Sequence, residues 1–352
     1  MIDLNNLLKE MLSAAGLSGH ERPVREIIAK AWEPLTDELT VSKLGSLHGL
    51  KRGAGEEPRK RVLISAHMDA IGMMVTDIKD GLLRITEIGG IDHRILPGQP
   101  VTVHGRETLS GVIIQPPGHL LPESVGDGPV EMQYLFVDPG LRPAEVAQKV
   151  RVGDLVSYAQ EPLELTGEAM AGHTLDNRVS VAATTLCLEA LQTRAHDWDV
   201  WAVASSQEEE TLGGAFTSPF AIRPDIAIVI DVCFAKGPGS SDWSSLPFGE
   251  GVGLGYGPNA HPALYNLFEK KAKELEIPYH KDLMPTMSGT DAMAVQIVAE
   301  GIPCAILGIP LRYMHTPVET VSLKDIRRAG RLMAEFIADL TPDTLEQIRW
   351  DV

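Results

Sequence analysis

The amino-acid sequence predicts an α/β protein in which a three-layer domain with a mixed sheet carries an inserted, small β-barrel-like domain. Short continuous apolar runs, which are typical of buried strands, alternate with amphipathic helical segments in the first and last parts of the chain. Between about residues 73 and 165 this pattern gives way to short segments separated by glycine and proline turns. A chain of 352 residues is long enough to form both units.

The elements of the α/β part follow from the spacing of their apolar side chains. Helical spacing predicts helices over residues 4–12, 24–32, 179–188, 262–275 and 326–340. Short continuous apolar runs predict strands over residues 62–66, 200–204, 226–230 and 305–307. Asp176 or Asn177 is expected to cap the helix that follows it.

The middle of the chain is predicted to form the inserted β unit. Turn signals such as Gly89-Gly90 recur throughout it, and only residues 143–150 have a briefly helical pattern. Because strand and helix alternation resumes afterwards, we predict a discontinuous α/β domain of residues 1–71 and 167–352. The inserted domain then covers residues 72–166.

Composition excludes several classes of protein. With 48 Asp+Glu against 31 Lys+Arg, the formal net charge of -17 disfavours nucleic acid and anionic membranes as partners. Residues 1–6 lack the basic and apolar pattern of a secretory leader, so we expect a cytoplasmic protein. Cys187, Cys233 and Cys304 are widely spaced, which favours buried reduced thiols over disulfides or a thiolate zinc site.

Acidic and histidine residues follow several of the predicted strands, and they are the candidate functional residues. They are His67, Asp69, Glu208, Glu209, Asp231 and His315. In open α/β sheets the chain leaves each strand's carboxyl end into a shared crevice, so these side chains are expected to converge. Histidine and carboxylate side chains at such a crevice are typical metal ligands.

Two pairs within this set suggest a division of roles. Residues two apart in a strand share a face, so His67 would be a ligand and Asp69 its orienting acceptor. The alternative is a strand-end histidine with a solvated neighbour. An extended backbone would direct Glu208 and Glu209 to opposite sides, so that one binds a metal and the other faces a bound water. Glu210 extends the run, and runs of charge are more often solvated surface.

Six motifs, in order, resemble the M42 family of metallo-aminopeptidases. They are AHMDAIG, AGHTLDNR, QEEETLGGA, IAIVIDV, SGTDA and YMHTPVE. This family includes glutamyl aminopeptidases and TET-like peptidases, and some of its members have been labelled as endoglucanases. The similarity extends over nearly the whole chain, including GLSGHERPVRE and the β insertion.

The resemblance implies two divalent metal ions per subunit, with zinc or cobalt favoured by the nitrogen and oxygen ligands. His67 and Asp231 would hold one ion, Glu209 and His315 the other, and Asp176 would bridge ions about 3.5–4 Å apart. Asp69 would orient His67, and Glu208 would be the general base for a metal-bound water whose pKa falls toward about 7. The implied reaction is removal of N-terminal residues from peptides.

The glutamate run departs from the family pattern. Glu210 and Thr211 stand where an apolar residue and a glycine are typical, and Gly213 stands where a basic residue is common. Glu208 as the base is therefore our prediction, and a one-residue shift to Glu209 and Glu210 is the alternative.

Residues outside the metal set are assigned to substrate binding and assembly. Gly289, Thr290 and Asp291 are expected to shape the substrate pocket, although turn geometry alone also explains a glycine there. His119, in the β insertion, is a candidate substrate-binding residue, and the alternative is a surface or hydrogen-bonded structural histidine. The resemblance implies a homo-oligomer, commonly a dodecamer built from dimers through the β insertion.

Two other functions are compatible with parts of the sequence. Paired acids also occur in glycosidases, but such enzymes need no bridging aspartate or histidine ligands, and an aromatic content of 5% leaves few rings to stack on sugars. A non-catalytic assembly or binding protein on a peptidase scaffold is the third hypothesis.

Overall fold

The computed structural model describes residues 2–125, 128–240 and 243–350, and it confirms the predicted α/β class. A mixed sheet of 11 strands carries helices on both faces, and a separate set of strands forms a closed barrel. In the described ranges, no helix is both long enough and apolar enough to cross a membrane. Cys187, Cys233 and Cys304 are buried and free, as predicted.

The helices and strands have the following bounds. The helices are α1 (Leu4–Ser13), α2 (Arg22–Trp32), α3 (Pro143–Lys149), α4 (Leu175–Ala190), α5 (Glu208–Thr211), α6 (Gly213–Ile222), α7 (Pro262–Glu274), α8 (Ala292–Val295), α9 (Leu323–Ala338) and α10 (Thr344–Gln347). The strands up to the end of the barrel are β1 (Glu38–Val41), β2 (Leu47–Lys51), β3 (Arg61–His67), β4 (Gly72–Lys79), β5 (Leu82–Ile88), β6 (Pro100–His104), β7 (Thr108–Ile114), β8 (Phe136–Asp138) and β9 (Leu155–Tyr158). The remaining strands are β10 (Leu163–Leu165), β11 (Ala169–Gly172), β12 (Asp199–Ser205), β13 (Ile226–Phe234), β14 (Val252–Tyr256), β15 (Tyr279–Leu283), β16 (Cys304–Arg312) and β17 (Glu319–Ser322).

The centre of the large sheet is parallel. Strands β12, β3, β13 and β16 lie side by side in that order and run in the same direction. Ser205 at the end of β12 pairs with His67 at the end of β3, and Asp231 of β13 pairs with Gly308 of β16. The carboxyl ends of these strands therefore meet at one edge of the sheet, where polar side chains can share a site.

Alternating side chains of the central strands pack into two different cores. Ile64 and Ile228 belong to the core under α1, α2, α4, α7 and α9, whereas Leu63 and Val229 belong to the core under α6 and α8. Successive residues of a strand point to opposite faces, so a sheet buried on both faces needs continuous apolar runs. This packing gives the three layers that the sequence predicts.

The barrel has the strand order β4-β5-β8-β7-β6-β9 and its own apolar core, which includes Val101, Val137 and Val156. Its first strand begins at Gly72, a few residues after His67 ends β3, so the barrel lies beside the carboxyl edge of the sheet. Strand β10 falls within the range 72–166 predicted for the insertion, but it pairs with β11 and so extends the large sheet.

Two local predictions were wrong. Asp231 does not end its strand, because β13 continues to Phe234. Glu208 and Glu209 are not on extended backbone, since both lie in the short helix α5. The helix follows Gln207, whose φ of 61° turns the chain sharply after β12.

Candidate active site

The structure brings the predicted ligand residues to one cavity of about 460 Å³. The lining includes His67, Asp176, Glu208, Glu209, Asp231 and His315. They come from the carboxyl edge of the sheet, from the start of α4, from α5 and from the loop after β16. The cavity is therefore the crevice that the strand order predicts.

His67 lies among three carboxylates. Its Nε2 is 3.2 Å from Oδ1 of Asp176, 3.8 Å from Oδ1 of Asp231 and 3.8 Å from Oε2 of Glu208. The imidazole is buried, with an exposed fraction of 2%. Its Nε2 therefore faces the centre of a carboxylate cluster.

Asp176 lies between the two histidines. Its Oδ1 faces Nε2 of His67 at 3.2 Å, and its Oδ2 faces Nε2 of His315 at 3.4 Å. Glu209 completes the second group, with Oε2 at 3.4 Å from Nε2 of His315. Ligand atoms of His67, Asp176 and Glu209 all lie within 4.8 Å of one another, which is close enough to hold a common metal ion.

Glu319 holds Asp176 and His315 in this arrangement. Its Oε2 accepts a hydrogen bond from the backbone N–H of Asp176 at 3.1 Å, and its Oε1 accepts one from the N–H of His315 at 2.9 Å. The side-chain amide of the neighbouring Asn177 donates a hydrogen bond to the backbone carbonyl of Ile230 at 3.1 Å. No role was predicted for Glu319, although it closes the YMHTPVE motif four residues after His315.

Asp69 supports the opposite side of the cluster. Its carboxylate accepts hydrogen bonds from the N–H groups of Glu208 at 2.9 Å and Glu209 at 3.2 Å, and from the hydroxyl of Ser18. Its Oδ1 lies 3.5 Å from Nδ1 of His67. Asp69 therefore contacts both the imidazole and the start of α5, whereas the sequence predicted only the first contact.

The third glutamate of the run points elsewhere. Oε1 of Glu210 accepts a hydrogen bond from the N–H of Gly89 at 2.5 Å, so this side chain faces the barrel. Glu208 and Glu209 line the cavity, and Glu210 is not among the residues that line it. This orientation supports Glu208 and Glu209, rather than Glu209 and Glu210, as the functional pair.

Burial and mutual repulsion control the ionisation of the cluster. Burial, reinforced by Asp291 and Asp176, raises the pKa of Glu208 to about 8. Burial also raises the pKa values of Glu209 and Asp231 well above the usual range. The pKa of Asp176 is lowered despite burial, because both histidines stabilise its anion.

The predicted substrate residues have different positions. Gly289 and Thr290 line the cavity. Asp291 is buried behind it, where Oδ2 accepts hydrogen bonds from Ser65 at 2.7 Å and Ser205 at 2.6 Å. His119 is exposed in a short 3₁₀ turn of the barrel and is not among the described residues that line the cavity, so its role stays a prediction.

The donor set fits divalent cations. Imidazole nitrogens and carboxylate oxygens face one another across a buried space, and no lysine or arginine is among the described residues that line it. Buried carboxylates without a cationic partner are unfavourable, and metal ions are the usual compensation. The fold and this donor set together are typical of α/β hydrolases that use divalent metal ions.

Comparisons with known proteins identify the family. A model of the M42 peptidases, described as M42 glutamyl aminopeptidase, matches residues 45–332. Over 342 residues, 96% of this chain and 97% of the relative, the chain is 33% identical to a lysyl aminopeptidase of Pyrococcus furiosus.

Solved structures agree with this result. A TET aminopeptidase from a marine sediment Thaumarchaeota archaeon has a TM-score of 0.91 and 31% identity, over 98% of this chain and 99% of its own. TET1 peptidase of Pyrococcus horikoshii, which can assemble into a tetrahedron or a large octahedral shell, has a TM-score of 0.82 and 27% identity, over 96% of this chain and 100% of its own. The chain belongs to the M42 peptidase family, as its motifs predict, and it is an enzyme.

Proposed function

We propose that this protein is a di-metal aminopeptidase that removes N-terminal residues from peptides. The observation that carries the proposal is the position of Asp176, which presents one carboxylate oxygen to each of two histidines. A carboxylate so placed suits a bridge between two ions about 3.5–4 Å apart. The aminopeptidase names of the relatives support the choice of peptide substrates.

The residues divide into two ligand groups with one shared member. His67 and Asp231 would hold one ion, Glu209 and His315 would hold the other, and Asp176 would contact both. This mixture of nitrogen and oxygen ligands favours zinc or cobalt. Ions bound there would supply Lewis acidity to the attacked carbonyl and to water.

Glu208 would act as the general base. Its carboxylate lies on the cavity wall, with Oε2 at 3.8 Å from Nε2 of His67, and its backbone N–H is held by Asp69. A carboxylate at this position can accept a proton from the attacking water and then return it to the leaving amine. Asp69 would fix the position of His67 relative to Glu208.

The proposed assembly and location draw on the structural neighbours and on the cysteines. The TET peptidase neighbours support homo-oligomerisation. We assign the dimer contact to the barrel and the final assembly to a dodecamer, and we place the protein in the cytoplasm, where free cysteines persist.

Hydrolysis of aminoacyl-nitroanilides tests the proposed function. We expect cleavage by protein loaded with zinc or cobalt, loss of cleavage with EDTA, and recovery when the metal returns. N-acetylated versions of the same substrates are the matched control and should remain intact, because an aminopeptidase requires a free amine. Cleavage that resists EDTA would contradict the metal assignment, and inactivity of the metal-loaded protein would favour a non-catalytic binding protein.

A further inference from the structure

The active-site cavity contains a carboxylate that neither the metal ligands nor the general base account for. Asp282, on β15, lines the cavity and is half-buried. Among the described residues, no donor lies within hydrogen-bonding distance of its carboxylate, and burial raises its pKa. Partial burial of an ionised acid without a cationic partner is unfavourable unless a ligand supplies the positive charge.

The strands beside Asp282 carry glycines at the two positions where a side chain would crowd it. A Cβ atom built on Gly308 would lie 3.5 Å from Oδ2 of Asp282, and one built on Gly253 would lie 3.5 Å from its Cβ. Both built atoms would also crowd the Sγ of Cys233, at 2.7 Å and 3.3 Å respectively. The two glycines therefore leave the room that the side chains of Cys233 and Asp282 occupy, and both of those residues line the cavity.

These two glycines lie in the same row of the sheet as a proposed metal ligand. Asp231 pairs with Gly308, and Gly308 pairs with Gly253. Adjacent strands are about 4.8 Å apart, so the carboxylate of Asp282 lies roughly one to two strand spacings from the Asp231 side chain. A lysine stem of four carbons covers a distance on the order of 6 Å.

The rest of the lining suits an alkyl stem. Phe234, Leu283, Met284, Met287 and Met314 present apolar surface to the cavity. Methionine side chains are flexible and adapt to unbranched chains. Apolar walls combined with a single terminal acid match a long side chain that ends in a positive charge.

We propose that Asp282 determines specificity by binding the cationic side chain of an N-terminal lysine or arginine. The substrate's amine end would lie at the metal cluster, and its first side chain would extend past Cys233 toward Asp282. An N-terminal glutamate would meet a like charge there, although the family model is described as glutamyl aminopeptidase. This inference rests on the proposed aminopeptidase function.

Kinetics of the metal-loaded enzyme on lysyl-, leucyl- and glutamyl-nitroanilide test the inference. We expect kcat/KM to be highest for the lysyl substrate. Asp282→Asn, which keeps the size of the side chain, should lower the lysyl value by about 10- to 100-fold, the range of a charge-assisted hydrogen bond, and leave the leucyl value within about threefold. Asp282→Lys should lower the lysyl value further and raise the glutamyl value. Asp343→Asn, at an exposed aspartate outside the cavity, is the matched control and should leave all three values unchanged.

Binding of free amino acids provides a second measurement that does not require turnover. In calorimetric titrations lysine should bind more tightly than norleucine, which has the same carbon chain without the ammonium, and Asp282→Asn should remove the difference. If Asp282→Asn lowers kcat/KM equally for all three substrates, or if the wild type prefers the leucyl or glutamyl substrate, this inference is wrong. Either result leaves the aminopeptidase function intact. Absence of hydrolysis with every substrate overturns the proposed function itself, and the specificity assignment with it.

Discussion

The carboxylate of Glu210 accepts a hydrogen bond from the backbone N–H of Gly89 at 2.5 Å, and this bond connects the large domain to the barrel. Gly89 follows β5 of the barrel, whereas Glu210 lies on α5 directly after Glu208 and Glu209. The backbone of the next barrel residue, Gly90, lies beside the imidazole of His315. One barrel loop thus contacts both the acidic helix and a proposed metal ligand.

The bond between Glu210 and Gly89 is expected to stabilise the position of α5. Glu210→Ala should lower the free energy of unfolding by about 1 kcal/mol and reduce kcat severalfold, because Glu208 lies on the same helical turn. Chemical denaturation and steady-state kinetics measure the two effects. Glu210→Gln retains an oxygen acceptor and is the control. A Glu210→Ala enzyme with wild-type kcat would show that α5 needs no support from the barrel.

Gly90 is expected to be intolerant of a side chain because of His315. A Cβ atom added at Gly90 would lie 3.2 Å from Nδ1 of His315 and 3.5 Å from Cε1, so the imidazole would have to shift. Gly90→Ala should weaken metal binding by roughly 10- to 100-fold, the usual cost of disturbing a group that orients a ligand. Competition with a metal-sensitive dye measures the affinity. Gly118→Ala is the control, since it makes the same change at a glycine of the inserted segment that has open space around its Cα and no positive φ. Equal metal affinity in Gly90→Ala and the wild type would refute the contact.

The general-base assignment predicts a separation of turnover from metal binding. Glu208→Gln keeps the shape of the side chain but removes its ability to accept a proton, so kcat should fall by roughly 10² to 10⁴. Metal content, measured by atomic emission, should stay at the wild-type level because Glu208 is not among the proposed ligands. If kcat of Glu208→Gln stays within threefold of the wild-type value, the general base would be Glu209 instead. If the variant loses metal, Glu208 would be a ligand.

Much of the fold was predictable because its main signals are local. The apolar run that ends at His67 and the amphipathic pattern from Leu323 to Ala338 are each set by side chains close together in sequence. The convergence of His67 and Asp231 also followed, since parallel strands place their carboxyl ends at one edge. The family motifs added Asp176, which lies at a helix start rather than at a strand end.

The supporting contacts were not predictable because they join distant segments. The backbone turn at Gln207 is stabilised by Glu21, whose Oε1 accepts the Gln207 N–H at 3.1 Å from a segment near the start of the chain. That turn starts α5, so the glutamate pair is helical rather than extended. Glu319 likewise acts through backbone N–H groups, and such contacts leave no pattern in the sequence.

A buried histidine outside the active site is expected to make stability depend on pH. His48 on β2 is buried, its Nε2 lies 2.9 Å from the hydroxyl of Ser218, and burial lowers its pKa from 6.5 to about 4. The unfolded chain therefore binds a proton more readily than the folded chain, so the stabilising contribution is complete above about pH 6.5 and is lost as pH falls toward 4. The loss attributable to His48 is on the order of 2 kcal/mol.

Denaturant titrations between pH 7.5 and about 4.5 measure this effect. His48→Asn should be less stable than the wild type at pH 7.5, because packing is lost, yet should lose less stability on acidification. Differences between variants cancel the titration of the metal cluster, which all of them share. His20→Asn replaces an exposed histidine and is the control. Its free energy of unfolding should change with pH as that of the wild type does. If the free energy of unfolding of His48→Asn falls on acidification as steeply as that of the wild type, the acid sensitivity of the fold comes from other groups.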